Sequence, residues 1–374
     1  MASLGPTDDV IIDETFTQAL PKVELHAHLS GSISRTTLHT IWQNKTTNLQ
    51  DGHSTLPDPA IALKPAGTFP TILSFFQIFN DYIYNLINDR ESIAYATRSV
   101  VEDFQRDGVR YLELRTTPRH IPNASISREE YVQIVLDALS QHHEAQLASG
   151  VRDADSIEVH LILSIDRTMS AVEADEIVSI AAKHARTSSP STMQLEPPSV
   201  VAIDICGNPT KGDISIFTPS FLRAKTLRLK TTVHFAEVPA SSTTAELKTL
   251  LSWSPNRLGH AINIPADLKA IIKERRLGLE LCLSCNVLAE MTQGGFREHH
   301  FGEWWATECP VALSTDDVGV FESALSNEYF IAATAFGLSR VQLVALARRA
   351  SNAAFAGQGR MERLIEGFEG SDEC

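Results

Sequence analysis

The 374-residue chain contains no run of ~18 apolar residues, so neither a membrane-spanning helix nor a membrane partner is expected. The stretch from Met1 to Asp13 is polar and acidic and lacks the apolar core of a secretory signal. Cysteine is scarce. Cys206, Cys282, Cys285, Cys309 and Cys374 make an odd set of five, which predicts free thiols and a cytoplasmic setting. Positive charge is in deficit, with 32 Lys+Arg against 46 Asp+Glu and a formal net charge of -14. A surface of that sign repels phosphate backbones, which excludes a general binder of nucleic-acid polymers but leaves room for one local phosphate pocket. No GxGxxG follows the first apolar run, so a dinucleotide fold lacks its usual support. Cys282 and Cys285 form a CxxC, but no second pair exists, and the two read as packing thiols.

What is present is an alternation. Short β-branched runs occur at Val23–Leu29, Val109–Thr116, Ile157–Ile165, Val200–Cys206, Thr231–Phe235, Arg257–Ile262, Leu277–Leu283 and Val311–Thr315. Between them, sets such as Ile93, Thr97, Val100, Val101 and Phe104 recur at helical spacing. Eight strand–helix units predict an α/β chain closed as a (β/α)8 TIM barrel, with an open doubly wound sheet as the rival. One domain over residues 1–374 is expected. Residues 44–90 read as an insertion after the first strand and a candidate lid, with four prolines and two glycines between Asn44 and Pro70. Residues 367–374 read as a frayed acidic tail. Arg186–Ser199 reads as a Ser/Pro-rich surface loop.

The strand ends carry the chemistry. His26 and His28 stand two apart on one strand and point to one face. The fifth strand runs into His234 and Glu237, the sixth into His260, the eighth into Asp316 and Asp317. Barrel enzymes assemble their sites at this end of the strands. Seven ionisable groups on one rim are costly to bury unless a divalent cation offsets their charge. Imidazole with carboxylate suits Zn2+, with Fe2+, Co2+ and Mn2+ as alternatives. Glu237 is placed to act as acid or base rather than as a ligand. These residues alone predict metal-assisted hydrolysis and leave the substrate unnamed.

The strings LPKVELHAHLSGS, TVHFAE, RLGHAI and STDDVGVF, spread over residues 20 to 321, resemble the adenosine deaminase family. DGVRYLELRTTPR, LELCLSCNV and HHFG look most like its adenosine-deaminase-like branch, which removes methylamine from N6-methyl-AMP. The ordinary branch more often has Pro where this chain has Val318. The resemblance implies hydrolytic deamination at purine C6, with one zinc ion on His26, His28, His234 and Asp316. It makes Glu237 the proton donor to N1 and His260 the group that orients the hydroxide and handles its proton. Asp317 would hydrogen-bond the hydroxide or purine N7. Gly207 would offer its backbone to the purine, Asp166 would contact the nucleotide, and Thr116, Thr117, Pro118 and Arg119 would form the 5'-phosphate loop. His28 and Ser30 would also meet substrate.

Two positions depart from that branch: Ser30 replaces an Asn, and Ile83, flanked by Tyr82 and Tyr84, replaces a His. Arg119 is left as the best phosphate cation. The expected partner is a purine nucleotide or nucleoside, and the expected state a monomer. Adenosine or AMP deamination is the near alternative. Another amidohydrolase-type reaction is the distant one, and it lacks the bridging lysine at the fourth strand's end, where the chain reads Asp204-Ile205-Cys206-Gly207.

Overall fold

The computed structural model describes residues 12–47, 56–63, 76–186 and 193–371. Eight strands run in chain order: β1 Lys22–His28, β2 Val109–Thr116, β3 Glu158–Asp166, β4 Val200–Cys206, β5 Lys230–Phe235, β6 Arg257–His260, β7 Gly278–Leu281 and β8 Val311–Leu313. Each pairs in parallel with the next. Just past β8, Asp316 N–H donates to the His26 carbonyl and the Asp316 carbonyl accepts from His28 N–H, each at 2.9 Å. This bridge joins the last unit to the first, so the chain is a (β/α)8 barrel and the open sheet is excluded.

The strands are nearly continuous apolar runs because helices cover their outer face while side chains fill the interior. The helix Arg90–Arg106 shows how the outer layer is specified. Asp89 and Ser92 form a reciprocal cap at its start, and Ile93, Ala96, Val100, Val101 and Phe104 make its buried stripe. No helix among the described residues is long and apolar enough to cross a membrane.

Three expectations shift. β6 stops at His260 instead of Ile262, because the left-handed φ of 61° at His260 and 55° at Ala261 turns the chain out of the ladder. β7 stops at Leu281, and a helix begins at Leu283. The expected frayed tail is helical through Glu369, with Phe368 buried and its ring 5.7 Å from that of Phe16. The burial of that one aromatic holds the end down. In the insertion, Tyr82, Ile83 and Leu86 pack into the core, and Tyr82 Oη donates to the Pro57 carbonyl at 2.7 Å. Residues 48–55 and 64–75, including Phe75 and much of the expected lid, lie outside the described residues.

Candidate active site

Four side chains from three strand ends converge at the C-terminal mouth. His26 and His28 Nε2 each lie 3.2 Å from His234 Nε2. Asp316 Oδ1 lies 3.6 Å from His26 Nε2 and 3.4 Å from His28 Nε2. Tetrahedral ligands about 2.0–2.1 Å from zinc sit roughly 3.3 Å apart, which is the spacing seen. The far side of two rings is already committed. His26 Nδ1 lies 2.6 Å from Glu280 Oε2 and His234 Nδ1 lies 3.2 Å from Asp204 Oδ1. With those nitrogens donating to carboxylates, the Nε2 lone pairs face one another, and a cation relieves the repulsion. Burial holds the His26 and His28 imidazoles well below their ordinary pKa, so both are neutral, as metal ligation requires. His234 is moved the other way, because Asp204 outweighs its burial. The donor set fits Zn2+.

The backbone is shaped to this purpose. A Cβ at Gly259 would stand 2.5 Å from His26 Cε1, so glycine is needed for the ring to reach the mouth. Ala236, His260 and Asp316 all adopt left-handed backbone, with φ of 55°, 61° and 61°. Non-glycine residues hold that conformation at a cost of about 1–3 kcal/mol each, and here it turns three strand ends abruptly into the site.

Beside the metal cluster stand the acid–base groups. His260 Nε2 is 4.0 Å from Glu237 Oε1 and 3.9 Å from Asp316 Oδ2, buried, and without a hydrogen-bond partner among the described residues. Asn286 Nδ2 lies 3.1 Å from His260 Nδ1, and Asn286 Oδ1 lies 3.2 Å from His299 Nε2. An amide donating to Nδ1 leaves the proton on Nε2, aimed into the gap between Glu237 and Asp316. His300 Nε2 holds the same residue through its carbonyl at 2.6 Å. Burial, opposed by His234 and reinforced by Asp316, raises Glu237 to about 7. Burial, then the charge of Asp316, lifts Asp317 well above the carboxylate range. A proton is therefore available at both carboxyls near neutral pH. Gly31 leaves room for Asp317, whose Oδ1 would lie 1.4 Å from any Cβ there.

A cavity of about 340 Å³ opens over these groups. His28, Ser30, Thr116, Thr117, Asp166 and Gly207 line it together with His234, Glu237, His260, Asp316 and Asp317. Pro118 and Arg119 do not. Arg119 donates to the carbonyls of Ile87 at 2.6 Å and Tyr84 at 3.0 Å, and its guanidinium lies 4.4 Å from the Tyr84 ring centre. It staples the insertion to the barrel. Two cations line the cavity: Arg115, which is engaged with Glu280 and Asp204, and Lys211, which the sequence reading did not single out. Ile83 faces the core, whereas Asn80 and Tyr84 look into the cavity, and Ser30 hydrogen-bonds the Tyr84 hydroxyl.

Asp204, Glu280, Asn286 and Arg115 were also missed. Arg115 Nη2 donates to Glu280 Oε2 at 2.7 Å, and its Nη1 lies 3.4 Å from Asp204 Oδ2. Period-two placement on β2, β4 and β7 was the only signal for three of them. Cys285 is more than filler, since its thiol donates to Asp316 Oδ2 at 2.9 Å.

Comparison with known proteins agrees with this geometry. The family model described as Adenosine deaminase matches residues 21–370. The chain is 35% identical to the N6-Methyl-AMP deaminase of Mus musculus over 91% of this chain and 89% of that one. It is 33% identical to the N6-mAMP deaminase of Arabidopsis thaliana, over 91% and 93%. Among solved structures, Arabidopsis ADAL complexed with GMP superposes with a TM-score of 0.81 at 33% identity, covering 96% of this chain and 99% of that one. The same protein complexed with IMP gives a TM-score of 0.80 at 32% identity, over 95% and 97%. The chain belongs to the adenosine deaminase family and is a hydrolytic deaminase.

Proposed function

We propose that this protein converts N6-methyl-AMP and water to IMP and methylamine, with Zn2+ held by His26, His28, His234 and Asp316. The observation that carries the reading is the convergence of these four ligand atoms beside Glu237 and His260. The names of the relatives at 33–35% identity supply the substrate class. When bound, zinc lowers the pKa of water to about 7 and so makes it a nucleophile at neutral pH.

The chain's own residues do the rest. Glu237 gives a proton to purine N1, so that C6 can accept the oxygen without building charge on the ring. His260 orients the attacking water by donating its Nε2–H to the oxygen, and of the two protons the water gives up, one returns to the Glu237 carboxylate left by N1 protonation and one goes to the departing amine. The bond from C6 to the exocyclic nitrogen then breaks, and the amine leaves protonated. Asp317, whose burial and neighbouring Asp316 charge favour the protonated form, donates to N7 or to the attacking oxygen. Gly207, at φ 96°, presents its backbone to the purine, and a Cβ there would meet Asp166 Oδ2 at 2.4 Å. Asp166 and Ser30 reach the ribose side. Thr116, Thr117 and Lys211 receive the phosphate.

Deamination of adenosine is the second reading, favoured by one observation: Arg119 is engaged with the insertion's carbonyls rather than with the cavity. Comparing kcat/KM for N6-methyl-AMP, AMP and adenosine by ultraviolet difference decides between them. N6-methyl-AMP is expected to be the best of the three. A preference for adenosine by about tenfold, or 1.4 kcal/mol, would overturn the phosphate assignment.

A further inference from the structure

The opposite mouth of the barrel holds a second set of metal-type side chains. Glu158 opens β3, and His160, two residues on, lies on the same face of the strand. Glu196, in the connection entering β4, joins them, and one ligand atom from each of the three lies within 4.8 Å of the others. Glu158 and His160 are buried, while Glu196 is half-buried. Glu158 Oε1 lies 3.0 Å from His160 Nε2, and Ser199 Oγ lies 3.1 Å from His160 Nδ1.

Two features set this cluster apart from an ordinary solvated acidic patch. Glu158 Oε2 is buried and has no hydrogen-bond partner among the described residues. A buried carboxylate oxygen without a donor is expensive. The neighbouring guanidinium of Arg360 does not serve it, being committed to Asp153, to the Arg110 carbonyl and to Ser156. Moreover, His143, on the helix Arg128–Ser149, sits close enough for the charges of both Glu158 and His160 to act on its imidazole. Three metal-type side chains thus stand together where one carboxylate oxygen lacks a donor.

We propose that Glu158, His160 and Glu196 hold a second divalent ion, of the zinc or manganese kind. One imidazole and two carboxylates suit those ions, with water completing the coordination. Ser199 Oγ, by accepting from Nδ1–H, would turn the Nε2 lone pair toward the ion. The role is structural. The ion lies at the N-terminal end of the strands, where barrels place stabilising rather than catalytic residues, and it ties β3 to the connection into β4.

The test is made on the full chain carrying His234→Ala, which removes an active-site ligand and so separates this site from the catalytic one. The protein is stripped with chelator, equilibrated with Zn2+, desalted, and its metal counted by mass spectrometry. The expected result is one ion per chain, and a zinc-dependent rise in Tm. Adding Glu196→Gln, a neutral change at a half-buried position, is expected to abolish both while the circular dichroism stays native. A His234→Ala protein that retains no zinc overturns the proposal. So does a double variant that retains as much zinc as the single one. Neither outcome depends on which purine the enzyme attacks.

Discussion

His26 Nδ1 lies 2.6 Å from Glu280 Oε2, a partner 254 positions further along the chain. Glu280 also accepts from Arg115, Thr232 and Arg257 at 2.7, 2.8 and 2.6 Å. A single buried carboxylate therefore orients a proposed metal ligand and bridges two guanidinium groups, which Asp204 and Glu113 help to neutralise. Glu280→Gln is expected to lower zinc affinity about 10–100-fold, because the ring loses its charged anchor. It should also cost about 3–5 kcal/mol of stability, since the arginines remain buried with one carboxylate fewer. Chelator competition and denaturant unfolding measure the two losses, and zinc retention equal to wild type would remove Glu280 from the site.

Glu237 stands just past the end of β5 and is not among the four residues that could hold the ion, so its loss should separate chemistry from metal binding. Glu237→Gln is expected to keep its zinc and lose at least about a hundredfold in kcat. Metal analysis beside steady-state kinetics is the check. Turnover within a few-fold of wild type would mean that another group protonates the purine.

Lys211 distinguishes nucleotide from nucleoside. Lys211→Ala is expected to reduce kcat/KM for N6-methyl-AMP by about 10–100-fold, chiefly through KM, and to leave the nucleoside nearly unaffected. Equal losses on both substrates would place Lys211 outside phosphate recognition. Arg119→Ala is expected instead to loosen the insertion, and so to affect both substrates alike.

Asn286 fixes the tautomer of His260. Asn286→Asp replaces a donor with an acceptor and draws the proton to Nδ1, which should lower kcat with KM little changed. Asn286→Ala, by removing the donor without imposing the opposite tautomer, should be the milder variant. Equal kcat in the two would show that Asn286 acts through packing alone.

Glu328 is buried and raised to about 7 from an ordinary 4.5, by burial above all, against hydrogen bonds from Ser284 and Ser323. Its folded form binds a proton that the unfolded chain has released over that interval. The stability it contributes is present below 4.5 and is lost as pH rises through about 7. Glu328→Gln should therefore flatten part of the decline in Tm between these limits, and a difference curve against wild type shows it. Parallel curves would mean that Glu328 does not titrate there.

The convergence of His26, His28, His234 and Asp316 was legible in the sequence because each sits at the end of an apolar run, where a barrel gathers its site. His26 and His28 also carry their own geometry, being two apart on a strand. Glu280, Asp204 and Arg115 were not legible. Each reads locally as one polar residue inside a strand, and its meaning comes only from barrel closure, which brings β7 and β4 behind His26 and His234. Arg119 misled for the same reason: a cation after the phosphate-type loop looks free until the insertion's carbonyls at Tyr84 and Ile87 are seen to occupy it. The turns at His260 and Asp316 were not read because His and Asp, though enriched in left-handed backbone, adopt it too seldom for the residue type alone to announce it. Residues 367–374 were read as a tail from their charge, whereas 367–369 close the last helix with Phe368 buried, and 372–374 lie outside the described residues.

Zinc-dependent recovery of N6-methyl-AMP turnover tests the whole account most directly. Chelator-stripped wild-type protein should be inactive, regain activity as Zn2+ is added, and level off once the active site is filled, whereas His234→Ala should stay at background at every zinc level. Full turnover by the stripped protein, or recovery by His234→Ala, would contradict a site in which three histidines and Asp316 hold the ion that activates water.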